Sequence, residues 1–561
     1  ELKGGSTTGV YAQIGHGGHA GSGTLQGDVF VNVDPQTLAP GSLVGDLVLT
    51  GGGGIGSYAQ IGHGGNTGSH VASGNLAVFT PGTATLTGGD GADAYAQIGH
   101  GGHDNDGAKG DADELIAVVT GTGLQLNGSD TAPDAYAQIG HGGLGGDGNL
   151  SGAVLVNFDP VNQVEIGGGS IDLNGGDADN SYAQIGHGGV ESVGSKSGGL
   201  IVNATDAINL TGGAGVDGYA QIGSGGRSSN GTKTGDVTVN GASVTLTGGD
   251  NDSFAQIGSG GFESSGGITS STTVLSDTFI DLDGGQSGGY TLIGAGGRGL
   301  GTNSFIGNVQ AVAFDGSVTL DGSDADISFA QIGNGGYQVF GTKTGSVIVS
   351  ATQDVLLTGG TADGSHAQIG MGGYLSAGNT LGNPDDVVQV SAGGDLTLQG
   401  GAGGIGNVAM VGNGGFSSSS VNTGGNVITL ADGDINLLGG AGLFGAAQIG
   451  NGGAGSGGAK TGDIFVNATN DVNLVRGAGD NAYAKIGHSD QQYTPTAAPV
   501  VGAPGSTQGD IQVTSGEDTT LTGGMIGHLD PDLPNQALAQ GGDTYIAVSR
   551  NDPTASGTGS L

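Results

Sequence analysis

The chain of 561 residues has no Cys and no Trp, and only three Met and 12 Pro. Without Cys there is neither disulfide nor thiol chemistry, although this alone fixes no compartment. So little Pro excludes a collagen triple helix, which also needs Gly at every third position. Positive charge is scarce: 11 Lys+Arg stand against 51 Asp+Glu, a formal net charge of −40. Such a chain repels phosphate backbones and anionic lipid, so nucleic acid and bare membrane are poor partners, while cations and cationic surfaces suit it. No run approaches the roughly 20 apolar residues of a spanning helix, so membrane insertion is not expected. The chain opens Glu1-Leu2-Lys3 without a signal-peptide pattern. An exported protein would therefore be represented here by a mature or internal segment.

What the chain has in abundance is Gly, 131 residues of it. Gly in a helix interior costs roughly 1 kcal/mol relative to Ala, so long helices are excluded almost everywhere. A Gly-rich chain could instead be disordered, but Val, Ile and Leu recur in short alternating runs that a solvated linker has no reason to keep. An ordered all-β protein is left.

One motif dominates. Tyr-Ala-Gln-Ile-Gly-His-Gly-Gly stands intact at Tyr11–Gly18, Tyr58–Gly65, Tyr95–Gly102, Tyr136–Gly143 and Tyr182–Gly189. It then drifts in frame through Tyr219, Phe254, Tyr290, Phe329, His366, Val408, Ala446 and Tyr483 to a worn copy at Met525–His528. Neighbouring copies of the about fourteen start 35 to 47 residues apart, and a fixed frame with elastic spacing indicates a solenoid with variable loops. Each period holds two further alternating segments, one like Gly235-Asp-Val-Thr-Val-Asn240 and one like Ser243-Val-Thr-Leu-Thr-Gly-Gly249. The expected fold is a right-handed parallel β-solenoid, one continuous body over 1–561, with three short strands in each coil and a long Gly/Ser loop at one corner. Two smaller coils per period also fit the length.

Stacking at about 4.8 Å places equivalent residues in columns. Val237 and Val239, or Val244 and Leu246, are expected inside. In the third strand Ala12 and Ile14 are assigned to the interior. That sends Tyr11, Gln13, Tyr58, Gln60, Tyr95, Gln97, Tyr136, Gln138, Tyr182 and Gln184 outward as aromatic and amide ladders. His16, His63, His100, His141 and His187 form another column, open to two readings: a metal ladder, or a corner residue bonded to the next turn. The column continues as Ser224, Ser259, Ala295, Asn334, Met371, Asn413 and Asn451, and a metal column would not accept Ala and Met, so the corner reading is taken. Gly88–Ala96 and Gly212–Ala220 look like calcium-binding nonapeptides, but that motif works in closer tandem. Turn chemistry is the reading preferred, with Asp90, Asp93, Asp177, Asp179 and Asp217 kept as candidate ligands for scattered calcium. No other cofactor is expected.

Catalysis is not expected. Polysaccharide-cleaving β-helices need clustered carboxylates, a basic residue and aromatic platforms, and no coil departs from the repeat to assemble them. A Thr column (Thr50, Thr87, Thr211, Thr247, Thr358, Thr522) suggests an ice-binding face, yet Asn127 and Asn174 interrupt it. Joining Leu561 to Glu1 gives Ser-Leu-Glu-Leu-Lys-Gly-Gly, which matches Ser243–Gly249 and completes a coil. On that match the sequence is expected to be one period of a longer fibre, continued covalently or by another subunit.

The Val-x-Val-Asn and Leu-Thr-Gly-Gly strands in Gly/Asp/Asn-rich coils resemble the filamentous-haemagglutinin-like family of large exported bacterial adhesins. The resemblance covers nearly the whole chain, without that family's amino-terminal secretion domain. It implies a secreted or cell-surface fibre whose partners are further copies of itself and cell-surface glycans. The alternative is a carbohydrate-binding or polysaccharide-degrading β-helix.

Overall fold

Alternating β-formers bounded by Gly, Asn and Asp leave the backbone one economical solution, which is to pair each short strand with its own repeat in the next coil. The computed structural model describes residues 1–38, 41–299, 301, 304–489, 504–528, 540–541 and 544–548. Gly542, Asp543 and 549–561, on which the end-joining expectation drew, lie outside these. Among the described residues there is no helix, and the protein is a parallel β-solenoid.

The chain divides into two compact units, Glu1–Val274 and Leu275–Leu561. Among the described residues three long sheets have fourteen strands each, and the strand Thr272–Ser276 of the third spans the boundary between the units. In the first unit, sheet one runs through Leu47–Thr50, Thr83–Thr87, Gly123–Asn127, Ser170–Asn174, Ala207–Thr211 and Ser243–Thr247. Sheet two holds the Ala-Gln-Ile strands from Ala12–Ile14 to Phe254–Ile257. Sheet three holds the Val-x-Val-Asn strands, among them Val29–Val31, Leu76–Thr80, Leu115–Thr120, Ala153–Val156 and Leu200–Asn203.

Register is exact in kind: Leu49 pairs with Leu86, Leu86 with Leu126, Leu126 with Leu173, Leu173 with Leu210 and Leu210 with Leu246. The second unit repeats this with Leu282, Leu320, Leu357, Leu398, Leu437 and Leu474. Every one of these leucines is buried. Fully burying one such side chain stabilises by about 1.5–3 kcal/mol, so each column adds to the cohesion that the backbone ladders give between coils. A one-residue slip would turn each column out to solvent, which fixes the register.

Two expectations are corrected. A fourth strand lies in the long corner segment, as in Leu150–Ser151, Lys196–Ser197, Lys233–Thr234 and Lys343–Thr344, so many coils have four strands rather than three. The second correction concerns facing. Tyr58, Gln60, Tyr95, Gln97, Tyr136, Gln138, Tyr182 and Gln184 are each 0% exposed, as buried as their Ala and Ile neighbours. Within this set Tyr11 is the exposed tyrosine, and Gln13 is half-buried. The reason is geometric: the corner segment folds back over sheet two, so that sheet has two inner faces and its alternation does not separate inside from outside.

Candidate functional site

The residues that set this repeat apart are the stacked Tyr, Gln and His of sheet two and the Lys of the covering strand. Rings from Tyr11 through Tyr58, Tyr95, Tyr136, Tyr182 and Tyr219 to Phe254 stack with centroids 4.7–5.0 Å apart and planes within 5°. The strand spacing dictates that distance, and each ring lies along its neighbour as an offset stack. Burial pushes the hydroxyls of Tyr95, Tyr136 and Tyr182 well above the usual phenol range, so they stay neutral. Each hydroxyl reaches the last Gly of its own motif. A Cβ on Gly102 or Gly143 would collide with the hydroxyl of Tyr95 or Tyr136.

The Gln amides tie each coil to the next. Gln60 Nε2 donates to Gln97 Oε1 at 3.1 Å and to the carbonyls of Gly99 and Gly101 at 3.0 and 3.1 Å. Gln97 does the same for Gly140 and Gly142, and Gln138 for Gly186 and Gly188. The carbonyls of Gly99, Gly140 and Gly186 are thereby satisfied, and those of Gly101, Gly142 and Gly188, which already accept a backbone N–H, gain a second donor.

The histidines work at both ring nitrogens. His63 Nδ1 accepts the backbone N–H of His16, His100 Nδ1 that of His63, His141 Nδ1 that of His100, and His187 Nδ1 that of His141, each at 3.0 Å. The other nitrogen of His63, His100 and His187 meets the carbonyls of Gly27, Gly74 and Gly152 at 2.7–3.0 Å. Since Nδ1 accepts, Nε2 carries the proton and the rings are neutral. Desolvation pushes His100 down to about 3 and His187 to about 4.

Further along, Asn takes over the same two jobs. Asn334 Oδ1 accepts from Ala295 N, while its Nδ2 donates to Gly307 O. Asn451 Oδ1 accepts from Asn413 N, and its Nδ2 donates to Gly425 O. An amide and a neutral imidazole are interchangeable here because each offers one acceptor and one donor on opposite sides. Each Nδ1 lone pair is already taken by the backbone N–H of the preceding coil and is closed to a metal.

Each of the candidate calcium ligands has a partner within the protein. Asp177 and Asp179 accept the backbone N–H groups of Ala214 and Val216 in the next coil, at 3.0 and 3.1 Å. Asp90 accepts the hydroxyl of Thr131 at 3.1 Å, and Asp93 lies 3.6 Å from His103 Nε2. Asp217 is buried against Arg227, with Nε 2.9 Å from Oδ2. Among the described residues no three His, Asp or Glu side chains converge as a metal ligand set.

The buried lysines were not foreseen from the sequence. Lys109, Lys196, Lys233, Lys343 and Lys460 are fully buried in the covering strand. Lys196 Nζ donates to the carbonyls of Ser192, Gly194 and Asn230 at 2.7–2.9 Å. Lys233 and Lys343 repeat this with Ser229, Gly231 and Ser265, and with Val339, Gly341 and Ala377. These three ammoniums each close their own corner and reach into the next coil, whereas Lys109 Nζ donates within its own corner, to Asn105, Asp106 and Gly107. Desolvation pushes Lys196 and Lys343 down to about 7. Three carbonyls nonetheless match the three N–H bonds of an ammonium, whereas a neutral amine has only two. Lys-Thr-Gly recurs in the sequence at Lys233, Lys343 and Lys460, which marks the position but not its burial.

The Gln amides, the His Nδ1 atoms and the ammoniums of Lys196, Lys233 and Lys343 are therefore engaged in holding coil to coil. Comparison of the chain with known protein families, with curated proteins and with solved structures finds no match.

Proposed function

We propose that this protein is a non-catalytic structural shaft of a secreted or cell-surface fibre, of the filament or adhesin kind. The observation that carries this reading is the use of the repeat's distinctive side chains. Gln, His and Lys, among the groups most suited to bind or react, are buried and hydrogen-bonded to the neighbouring coil, and the buried Tyr rings stack on it. A chain that devotes its chemistry to stacking gains resistance to unfolding along one direction, which is the demand on a shaft. Each coil presents the same backbone register to the next, so another chain with the same repeat is a partner that a coil edge fits. Glycans at a cell surface are the second class of partner.

Electron microscopy of the native material tests this. Filaments with a strong reflection near the about 4.8 Å strand spacing are the expected result. Turnover of an acidic or neutral polysaccharide, lost on replacing a few carboxylates, would overturn it in favour of a polysaccharide-degrading β-helix.

A further inference from the structure

Two irregular excursions in the first unit share one sequence pattern: Asn32-Val-Asp-Pro35 and Asn157-Phe-Asp-Pro160. Both leave the end of a sheet-three strand at an Asn with positive φ, 54° at Asn32 and 52° at Asn157. In both, the Asp caps the turn that follows. Asp34 Oδ1 accepts the N–H groups of Gln36 and Thr37, and Asp159 Oδ1 those of Val161 and Asn162. Each excursion then returns to its own Asn: Gly41 N–H donates to Asn32 O at 2.7 Å, and Ile166 N–H to Asn157 O at 3.0 Å. The two Asn side chains bond into adjacent coils, Asn32 Nδ2 to Phe79 O and Asn157 Oδ1 to Thr120 N. These are braced walls standing three coils apart, about 14 Å at the strand spacing.

Between them lies the outer face of Leu76–Thr80 and Leu115–Thr120. There Ala117 stands beside Ala77 and Val119 beside Phe79. Farther along the same sheet the corresponding outward positions are mixed, polar at Thr238, Asn240, Gln389 and Ser391 and apolar at Ile201, Ile348, Ile428 and Phe465, so it is the two walls that set this stretch apart. Small apolar residues on the floor and Val33, Leu38, Phe158 and Ile166 on the walls leave a cleft of about 180 Å³. Among the described residues of the lining Asp159 is the one that is charged, and none is Lys or Arg. Its carboxyl is held below the usual carboxylate range, first by the side-chain hydrogen bond from Asn162, so it is ionised at neutral pH. Thr37, Asp159 and Asn162 are the polar residues of an otherwise apolar lining, and an apolar pocket with a few polar groups is the usual form of a small-molecule site.

We propose that this cleft binds a small aromatic amine, its ring on the Ala77–Ala117 floor between Phe79 and Phe158, and its ammonium at the Asp159 rim. The volume suits a single ring. An anionic ligand would meet Asp159 and a chain of net charge −40 without any compensating cation in the lining. A neutral ring would use the floor but forgo the rim. The inference is independent of the shaft reading, since a shaft can carry a ligand site on one face.

Calorimetric titration of the whole chain with phenethylamine, 2-phenylethanol and 3-phenylpropanoate, three ligands with one ring and different charge, tests the proposal. Saturable binding in the order amine, alcohol, acid is expected. Asp159→Asn keeps an oxygen to cap the turn, and should weaken phenethylamine about threefold to fivefold while leaving 2-phenylethanol unchanged, the scale of one exposed ion pair. Ala117→Trp fills the cleft from its floor and should abolish binding of both. No saturable binding to the folded wild type would overturn the proposal, as would tightest binding of the acid. Amine binding that survives both substitutions would equally overturn it.

Discussion

The backbone N–H of His16 donates to Nδ1 of His63, the histidine directly above it, at 3.0 Å, and their rings stack with centroids 5.0 Å apart. The same bond links His63 to His100, His100 to His141 and His141 to His187. A side chain thus continues, from coil to coil, the ladder that backbone groups make elsewhere.

Protonating Nδ1 removes the acceptor and places like charges face to face, so acid should loosen the first unit. The folded-state values of His100 and His187 are lowered to about 3 and about 4, below the unfolded value near 6.5. Between these limits the unfolded chain binds more protons, so stability falls as pH drops from about 6.5 toward 3. Denaturant unfolding followed across that range should show the loss. His100→Asn keeps both hydrogen bonds without a titrating ring and should flatten the pH dependence; an unchanged slope would refute the ladder as its source.

The tyrosine column tolerates Phe, as Phe254 shows by stacking on Tyr219 at 4.7 Å. Tyr136→Phe should therefore cost about 1 kcal/mol or less. Tyr136→Ala removes a fully buried ring from the stack and should cost about 3–5 kcal/mol. Equilibrium unfolding of the two variants checks the contrast, and equal costs would mean that the hydroxyl rather than the ring is what matters.

Gly99 has φ of 159° and lies beneath the next coil, so a Cβ there would strike the carbonyl oxygen of Gly140. Gly99→Ala should cost more than about 4 kcal/mol, because neither backbone can give way without breaking register. A loss below about 1 kcal/mol, the ordinary cost of a tolerated change, would show that the coils slide.

The lysines make a chemical prediction. Brief acylation of the native protein, read by mass spectrometry, should modify the exposed Lys3 and spare Lys109, Lys196, Lys233, Lys343 and Lys460 until the protein is denatured. Lys196→Met should cost about 1–3 kcal/mol, since the carbonyls of Ser192, Gly194 and Asn230 lose their shared donor. Faster amide exchange would be confined to that corner. Ready acylation of Lys196 in the folded state would contradict its burial.

The strand pattern was legible because Leu86, Leu126 and their kin alternate with polar residues at the period of a sheet. The parallel stacking followed from the fixed frame of Tyr-Ala-Gln-Ile-Gly. The facing of Tyr58 and Gln60 was not legible, because a strand covered on both sides no longer reports inside and outside through polarity. The covering strand was missed for a related reason: Lys196-Ser197 and Lys233-Thr234 are short, polar and flanked by Gly, and they read as loop. The ammonium at their centre is satisfied only by carbonyls two and four residues back and one in the neighbouring coil. No local pattern announces such a partner set. The cleft was hidden in the same way, since Asn32-Val-Asp-Pro35 and Asn157-Phe-Asp-Pro160 become a pair only when intervening coils are stacked between them.

Those two excursions show how a solenoid can set dimensions. Each is inserted at a corner where chain length is free, while the buried columns hold every coil to one register. Shifting either insertion to a neighbouring coil would widen or narrow the space by one strand spacing, about 4.8 Å, and by no intermediate amount. The opening is thus measured in whole coils, as a gap on a rack is set by which notch the shelf occupies.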